Sequence, residues 1–132
     1  MKKVSLLILL FCALTVSAQY AKLYEFSSDN EFAYPSSVVS DRHYIYGVTE
    51  YGGLYGKGVV YRVKHNGSGF TVLVNFNNEN GPFGSFPYGG LSLYGDTLYG
   101  TARFVIREVG PDAVVFKVNK DGSDFSVIHE FS

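Results

Sequence analysis

An all-β fold is predicted by three observations on this 132-residue sequence. The segment NGSGFTVLVNF (66–76) returns as DGSDFSVIHEF (121–131). Short apolar runs alternate with a period of two, as half-buried strands require, and no segment after residue 18 holds a helical period. Asn66-Gly67, Gly95-Asp96 and Asp121-Gly122 place residues that tolerate positive φ between neighbouring runs, where hairpins need them.

The recurrence extends beyond one motif. Val59-Val60-Tyr61-Arg62-Val63 falls on Val114-Val115-Phe116-Lys117-Val118 at the same spacing of 55 residues. Ile45-Tyr46-Gly47-Val48-Thr49 falls on Leu98-Tyr99-Gly100-Thr101-Ala102 at 53, and Tyr34-Pro35 on Phe86-Pro87 at 52. Slips confined to connections are the signature of a structural unit repeated in tandem. Each unit holds four β-prone runs: 36–41, 44–50, 58–65 and 70–76, then 90–94, 97–102, 113–119 and 125–131. Phe70, Val72, Val74 and Phe76 read as one apolar face of the fourth run, as do Phe125, Val127, His129 and Phe131. Gly47 and Gly100 leave room for a bulky neighbour. Four antiparallel strands every ~50 residues make a propeller blade. The fold expected is therefore a β-propeller-like array of two four-stranded antiparallel blades, with an open sandwich of about eight strands as the alternative.

Taken in chain order, residues 1–18 read as a signal peptide. Lys2 and Lys3 precede an apolar run over 4–16, and Val16-Ser17-Ala18 is a small-residue cleavage site. The run is shorter than the ~20 residues a membrane-spanning helix needs, so no stable span is expected after cleavage. The predicted destination is outside the cytoplasm: secreted, periplasmic or at the cell surface. Cys12 is the only cysteine and leaves with this segment, which removes disulfides and thiol chemistry. Cleavage also moves the net charge from −1 to −3, with 9 basic and 12 acidic residues, so a nucleic-acid footprint is absent. Residues 19–33 are expected to hold a lone N-terminal strand and a link, because Tyr20, Leu23, Tyr24 and Phe26 match Phe70, Leu73, Val74 and Phe76. Repeat unit 1 then spans 34–85 and repeat unit 2 spans 86–132. Two units and a spare strand do not close a ring of about four to eight blades. An incomplete propeller follows: a truncated product, a piece of a longer array, or a subunit that self-associates through unpaired blade faces.

Gly89 to Ala102 (GGLSLYGDTLYGTA) and Val114 to Phe131 (VVFKVNKDGSDFSVIHEF) resemble the GloVer tandem-repeat family of bacterial secreted and surface proteins. The Leu-Tyr-Gly-Thr, Val-Phe-Lys and Asp-Gly-Ser elements stand at 98–101, 115–117 and 121–123. The first unit is a looser copy, with Ile45-Tyr46-Gly47-Val48 and Val60-Tyr61-Arg62, but its link EYGGLYGKG (50–58) keeps the glycines that RFVIREVGPD (103–112) has lost. The resemblance implies a propeller-like fold and export, and no established chemistry.

In such a unit the links 50–57, 77–86 and 103–112 emerge on one side, where a rigid scaffold presents its binding residues. The candidate ligand-binding face comprises Glu50, Tyr51, Tyr55, Lys57, Asn77, Asn78, Glu79, Phe83, Arg103 and Arg107. Planar rings stack on sugar faces, and amides and carboxylates meet hydroxyls, so the partner expected is an extracellular glycan or a surface protein. No catalytic residue is assigned. A hydrolase needs two carboxylates at a set separation, and nothing fixes the distances among Glu50, Glu79 and Glu108. His43, His65 and His129 occupy non-equivalent places without metal-ligand spacing, with His129 read as a packed or edge residue. Asn119, Asp121, Ser123 and Asp124 crowd around Gly122 but lack the oxygen series of a calcium loop, and read as turn residues. No cofactor is expected. The function read from the sequence is a non-enzymatic scaffold or binding surface; the alternative is a fragment of a carbohydrate-active enzyme with loop-side carboxylates.

Overall fold

The computed structural model describes residues 19–26, 32–77, 84–103 and 112–132. These are all-β, with strands β1 (Phe32–Pro35), β2 (Val39–Ser40), β3 (Tyr44–Gly52), β4 (Val59–Lys64), β5 (Thr71–Asn75), β6 (Ser85–Tyr94), β7 (Thr97–Arg103), β8 (Ala113–Asn119) and β9 (Ser126–Phe131). Two antiparallel sheets result. The first runs β1-β3-β4-β5, with β2 following β1 along the same edge of β3; the second runs β6-β7-β8-β9. Among the described residues the sheets close no barrel or ring. No described helix is long and apolar enough to cross a membrane, and the predicted signal peptide lies outside the described residues.

The sequence repeat is also a repeat of local geometry. Gly47 pairs with Tyr61 across β3 and β4, and Gly100 with Phe116 across β7 and β8. In each pair the ring lies over the glycine, so closely that an added Cβ would sit 2.5 Å from Tyr61 Oη or Phe116 Cζ. Tyr34 and Phe86, each before a proline, share a φ of 56°. The hairpins match bond for bond. Lys64 and Asn119 donate their N–H groups to the Ser68 and Ser123 carbonyls, while Gly67 and Gly122 donate back to Lys64 and Asn119. The Asn66 and Asp121 side chains accept from the backbone and hydroxyl of Ser68 and Ser123. Asn119 donates to Ser123 Oγ and to Asp124, so this oxygen-rich group holds the turn together.

The largest departure from the sequence reading concerns the fourth strand of each unit. The β4–β5 pairing slips one residue between Val60 and Tyr61, and β8–β9 slips at the equivalent point between Val115 and Phe116. A bulge reverses the side to which later residues point. Phe70 and Val72 therefore pack with Val59, Tyr61 and Val63 on one face of the first sheet, whereas Val74 and Phe76 join Val60, Val48 and Tyr46 on the other. The single apolar face expected over 70–76 is thus divided between two faces, and the first sheet is apolar on both.

Its second face packs against Leu98, Ala102, Val114, Phe116 and Val118 to form the core shared by the two sheets. At the centre, Phe76 meets Phe116 and Phe125 edge-on, at 5.2 and 6.0 Å between ring centroids.

Two smaller corrections follow, with the strand limits set beside the unit boundaries. The run 36–41 is not one strand: β1 and β2 are interrupted at 36–38, whereas the equivalent β6 is continuous but carries two register shifts. β1 begins at Phe32 and β6 at Ser85, just ahead of the unit boundaries at 34 and 86. Residues 19–26 form no strand, because they lie on a sheet face, where no backbone edge is offered, and are held there by Tyr24 and Phe26. His129 is exposed on the edge strand β9, with its ring 4.6 Å from that of Phe131.

Candidate ligand-binding face

Four of the residues chosen from sequence converge at the loop end of the junction between the sheets. Glu50 and Tyr51 end β3, Lys57 closes the glycine-rich link, and Arg103 ends β7. The Arg103 guanidinium donates to the Glu50 carboxylate, an ion pair that ties the first sheet to the second. It also lies over the Tyr88 ring, 5.5 Å from its centroid, while the Lys57 ammonium lies 5.2 Å over Phe86. Such cation–π contacts hold long side chains at fixed positions.

The aromatic part of this face is larger than the sequence suggested. Tyr51 packs edge-on against buried Phe86 at 4.9 Å and against Tyr34 at 5.6 Å. Tyr34 and Tyr88 are 71% and 69% exposed, on either side of a cavity of about 320 Å³ lined by Pro35, Ser36, Glu50 and Pro87. The framework beneath is tied down. Thr49 Oγ1 donates to the Tyr51 carbonyl, Ser85 Oγ to the Arg103 carbonyl, and the Phe86 N–H to the Lys57 carbonyl. Tyr34 and Phe86 hold a left-handed backbone that costs bulky residues ~1–3 kcal/mol. That cost is met twice at this face, at equivalent positions.

Tyr55 is exposed on the tip of the 53–58 link, away from these ring contacts, and Asn77 is half-buried just beyond β5. Asn78, Glu79, Phe83 and Arg107 lie outside the described residues, as does Glu108. The structure therefore joins Glu50, Tyr51, Lys57 and Arg103, and adds Tyr34, Phe86 and Tyr88. The aromatic-proline dipeptides at 34–35 and 86–87 hold two of these three, Tyr34 and Phe86, and Tyr88 follows the second.

A second cleft, of about 460 Å³, opens at the hairpin end of the same junction. Lys120 bridges Asp41 at 2.9 Å and Asp96 at 2.8 Å. Asp41 also accepts from the N–H groups of His43 and Tyr44 and from the Tyr46 hydroxyl. Burial pushes the Asp41 carboxyl up, but the His43 N–H, Lys120, the Tyr44 N–H and the Tyr46 hydroxyl together outweigh it and hold the group well below the usual carboxylate range. Burial, then the bond to Asp41, pushes the Tyr46 hydroxyl up to about 12. Arg62 stacks on Tyr44 at 4.6 Å and donates to the Lys120 carbonyl. The charges in this cleft engage one another across the sheets, and we read it as a clamp rather than a site. Among the described residues no three His, Cys, Asp or Glu side chains group to hold a metal.

No protein-family model matches the chain, and no curated protein is significantly similar to it.

Proposed function

We propose that the chain is an exported, non-enzymatic repeat segment of the GloVer type, with propeller-like blades, whose loop-end face binds an extracellular glycan. The observation that carries this reading is the pair of exposed rings, Tyr34 and Tyr88, set beside the Glu50–Arg103 ion pair on a tied-down framework. Rings supply flat apolar surface for sugar faces, and the ion pair supplies donors and acceptors for hydroxyls. The blade reading is supported by the repeated bulge, which leaves the first sheet apolar on both faces, so that it buries itself only by stacking between neighbours.

Affinity electrophoresis through gels cast with neutral and acidic polysaccharides tests the reading. Retardation by at least one polymer is expected, strongly reduced in the Tyr34→Ala/Tyr88→Ala double variant and partly reduced in Glu50→Gln. Retardation unchanged in the double variant, or absent from every polymer, overturns it. Release of reducing ends that Glu50→Gln abolishes would instead make the chain part of a glycoside hydrolase.

A further inference from the structure

We infer that the chain associates head to tail with a second copy, with β9 of one copy taking the seat that residues 23–26 hold on the first sheet of the next. One docking pattern occurs twice within the chain. Phe76 stands edge-on over Phe116 and Phe125, which are stacked on each other at 5.5 Å and 24°, and the backbone of Leu73 fills the space beside Gly122. Phe26 stands edge-on over Tyr61 and Phe70, at 5.1 and 6.0 Å. Those two are stacked at 5.3 Å and 26°, and the backbone of Leu23 fills the space beside Gly67. The seat is thus a stacked aromatic pair with a hairpin glycine, and the plug is an aliphatic residue followed three positions later by phenylalanine.

A third plug is present without a seat among the described residues. Ile128 and Phe131 of β9 occupy the positions of Leu73 and Phe76, yet are 50% and 49% exposed. Ile128-His129-Glu130-Phe131 shares with Leu23-Tyr24-Glu25-Phe26 a flat ring at the second place and Glu-Phe at the third and fourth, where Leu73-Val74-Asn75-Phe76 has valine and asparagine before its phenylalanine. In the seated segment Tyr24 stacks on Phe70 at 4.4 Å and 10°, and an imidazole offers a flat ring at the same place. The seat on the first sheet of a second copy is the matching surface, and its present occupant joins neither sheet. A β9 plug arrives with three further strands and half-buried Tyr99 and Val115 on the same outer face. Thr101 and His129 replace Val48 and Val74 there, so the contact is weaker than the one between sheets of a single chain. A head-to-tail contact of this kind closes into a ring or continues as a filament, according to its rotation.

Light scattering after size exclusion, over a range of concentrations, tests this with paired variants of the full chain. Phe131→Asp removes the plug. Gly67→Asn keeps a residue that tolerates positive φ while filling the space the plug's backbone needs. The wild-type mass is expected to rise with concentration and each variant to remain monomeric. An equimolar mixture should form a one-to-one dimer and stop there, because one partner keeps a seat and the other a plug. A wild type that is monomeric at every concentration, a Phe131→Asp chain that associates like wild type, or a mixture without dimer overturns the inference. If Gly67→Asn is unfolded by circular dichroism, Phe26→Ala takes its place: it loosens the resident segment, should raise the mass, and should lose that gain when combined with Phe131→Asp. The glycan face is separate, so Tyr88→Ala should leave every mass unchanged.

Discussion

Phe26, Phe76 and Phe131 occupy one position of the repeat in three degrees of burial, and replacing each by alanine should cost stability in that order of burial. Phe76 is fully buried and meets two rings edge-on. Truncating a buried phenylalanine costs ~3–5 kcal/mol in transfer energy and cavity, and edge-to-face pairs add ~0.5–1.5 kcal/mol beyond area. Phe76→Ala should therefore fall near the top, at about 4–5 kcal/mol. Phe26 is half-buried and meets an equivalent ring pair from a segment that forms no strand, so about 2 kcal/mol is expected. Phe131 is about half exposed and leaves no closed cavity, so its loss should cost about 1 kcal/mol or less.

Urea unfolding followed by far-ultraviolet circular dichroism, at a single low protein concentration, measures all three. With a slope of about 1.5 kcal/mol per molar, the midpoints should fall by about 3, 1.3 and 0.7 M. If Phe26→Ala is no more costly than Phe131→Ala, residues 19–26 are not seated on the first sheet in solution. If Phe76→Ala is no worse than Phe26→Ala, the contact between the two sheets is not the main core.

Three further substitutions test the repeat and the clamp. Gly100→Ala drives a methyl against Phe116 Cζ and Leu91 Cδ2, and because Phe116 is backed by Phe76 and Phe125 it should cost about 1–3 kcal/mol in thermal unfolding. Gly95→Asn, in open space at positive φ, should cost only ~0.5 kcal/mol. The Asp41 carboxyl is depressed in the folded chain, so its contribution is fully present above the ordinary pKa of 3.8 and is lost as pH falls below that toward the lower folded value. Asp41→Asn should lower stability at neutral pH and flatten the acid limb of the stability profile. An acid limb of unchanged steepness in that variant would show that the clamp does not set it.

Much of the fold was legible because repetition and turn chemistry are local. Asn66-Gly67-Ser68 and Asp121-Gly122-Ser123 spell their own side-chain and backbone bonds, and the structure forms both alike. The glycine opposite an aromatic, Gly47 with Tyr61 and Gly100 with Phe116, was visible as a need for space, although the ring that fills it was not. The faces of the fourth strand were misread for a definite reason. A period of two is preserved by counting residues, whereas side is set by pairing, and the extra residue that the pairing leaves in the fourth strand, Leu73 or Ile128, does not interrupt the count. The run 36–41 failed similarly, since Ser36 bonds its N–H to Val48 while Ser37 and Val38 make no ladder, a break that composition does not announce.

The candidate face was legible in its charges and in Tyr51 but not in its other rings, and the difference has a physical origin. Glu50, Lys57 and Arg103 were chosen as link residues, and a link's position follows from strand order alone. Tyr34 and Tyr88 lie on or beside strands, where an aromatic ordinarily reads as core. They reach solvent beside the two equivalent bends at which the residue before each proline, Tyr34 in one unit and Phe86 in the other, adopts a left-handed backbone. Tyr34 stays exposed there, whereas Phe86 is covered at the junction by Tyr51 and Lys57, and the exposed ring of the second unit comes from Tyr88, two residues later. The backbone device is repeated, and the neighbours decide the fate of each equivalent ring. Tyr51 joins the results by touching both Tyr34 and Phe86, and so makes one aromatic surface from two units that a sequence comparison aligns but cannot place side by side.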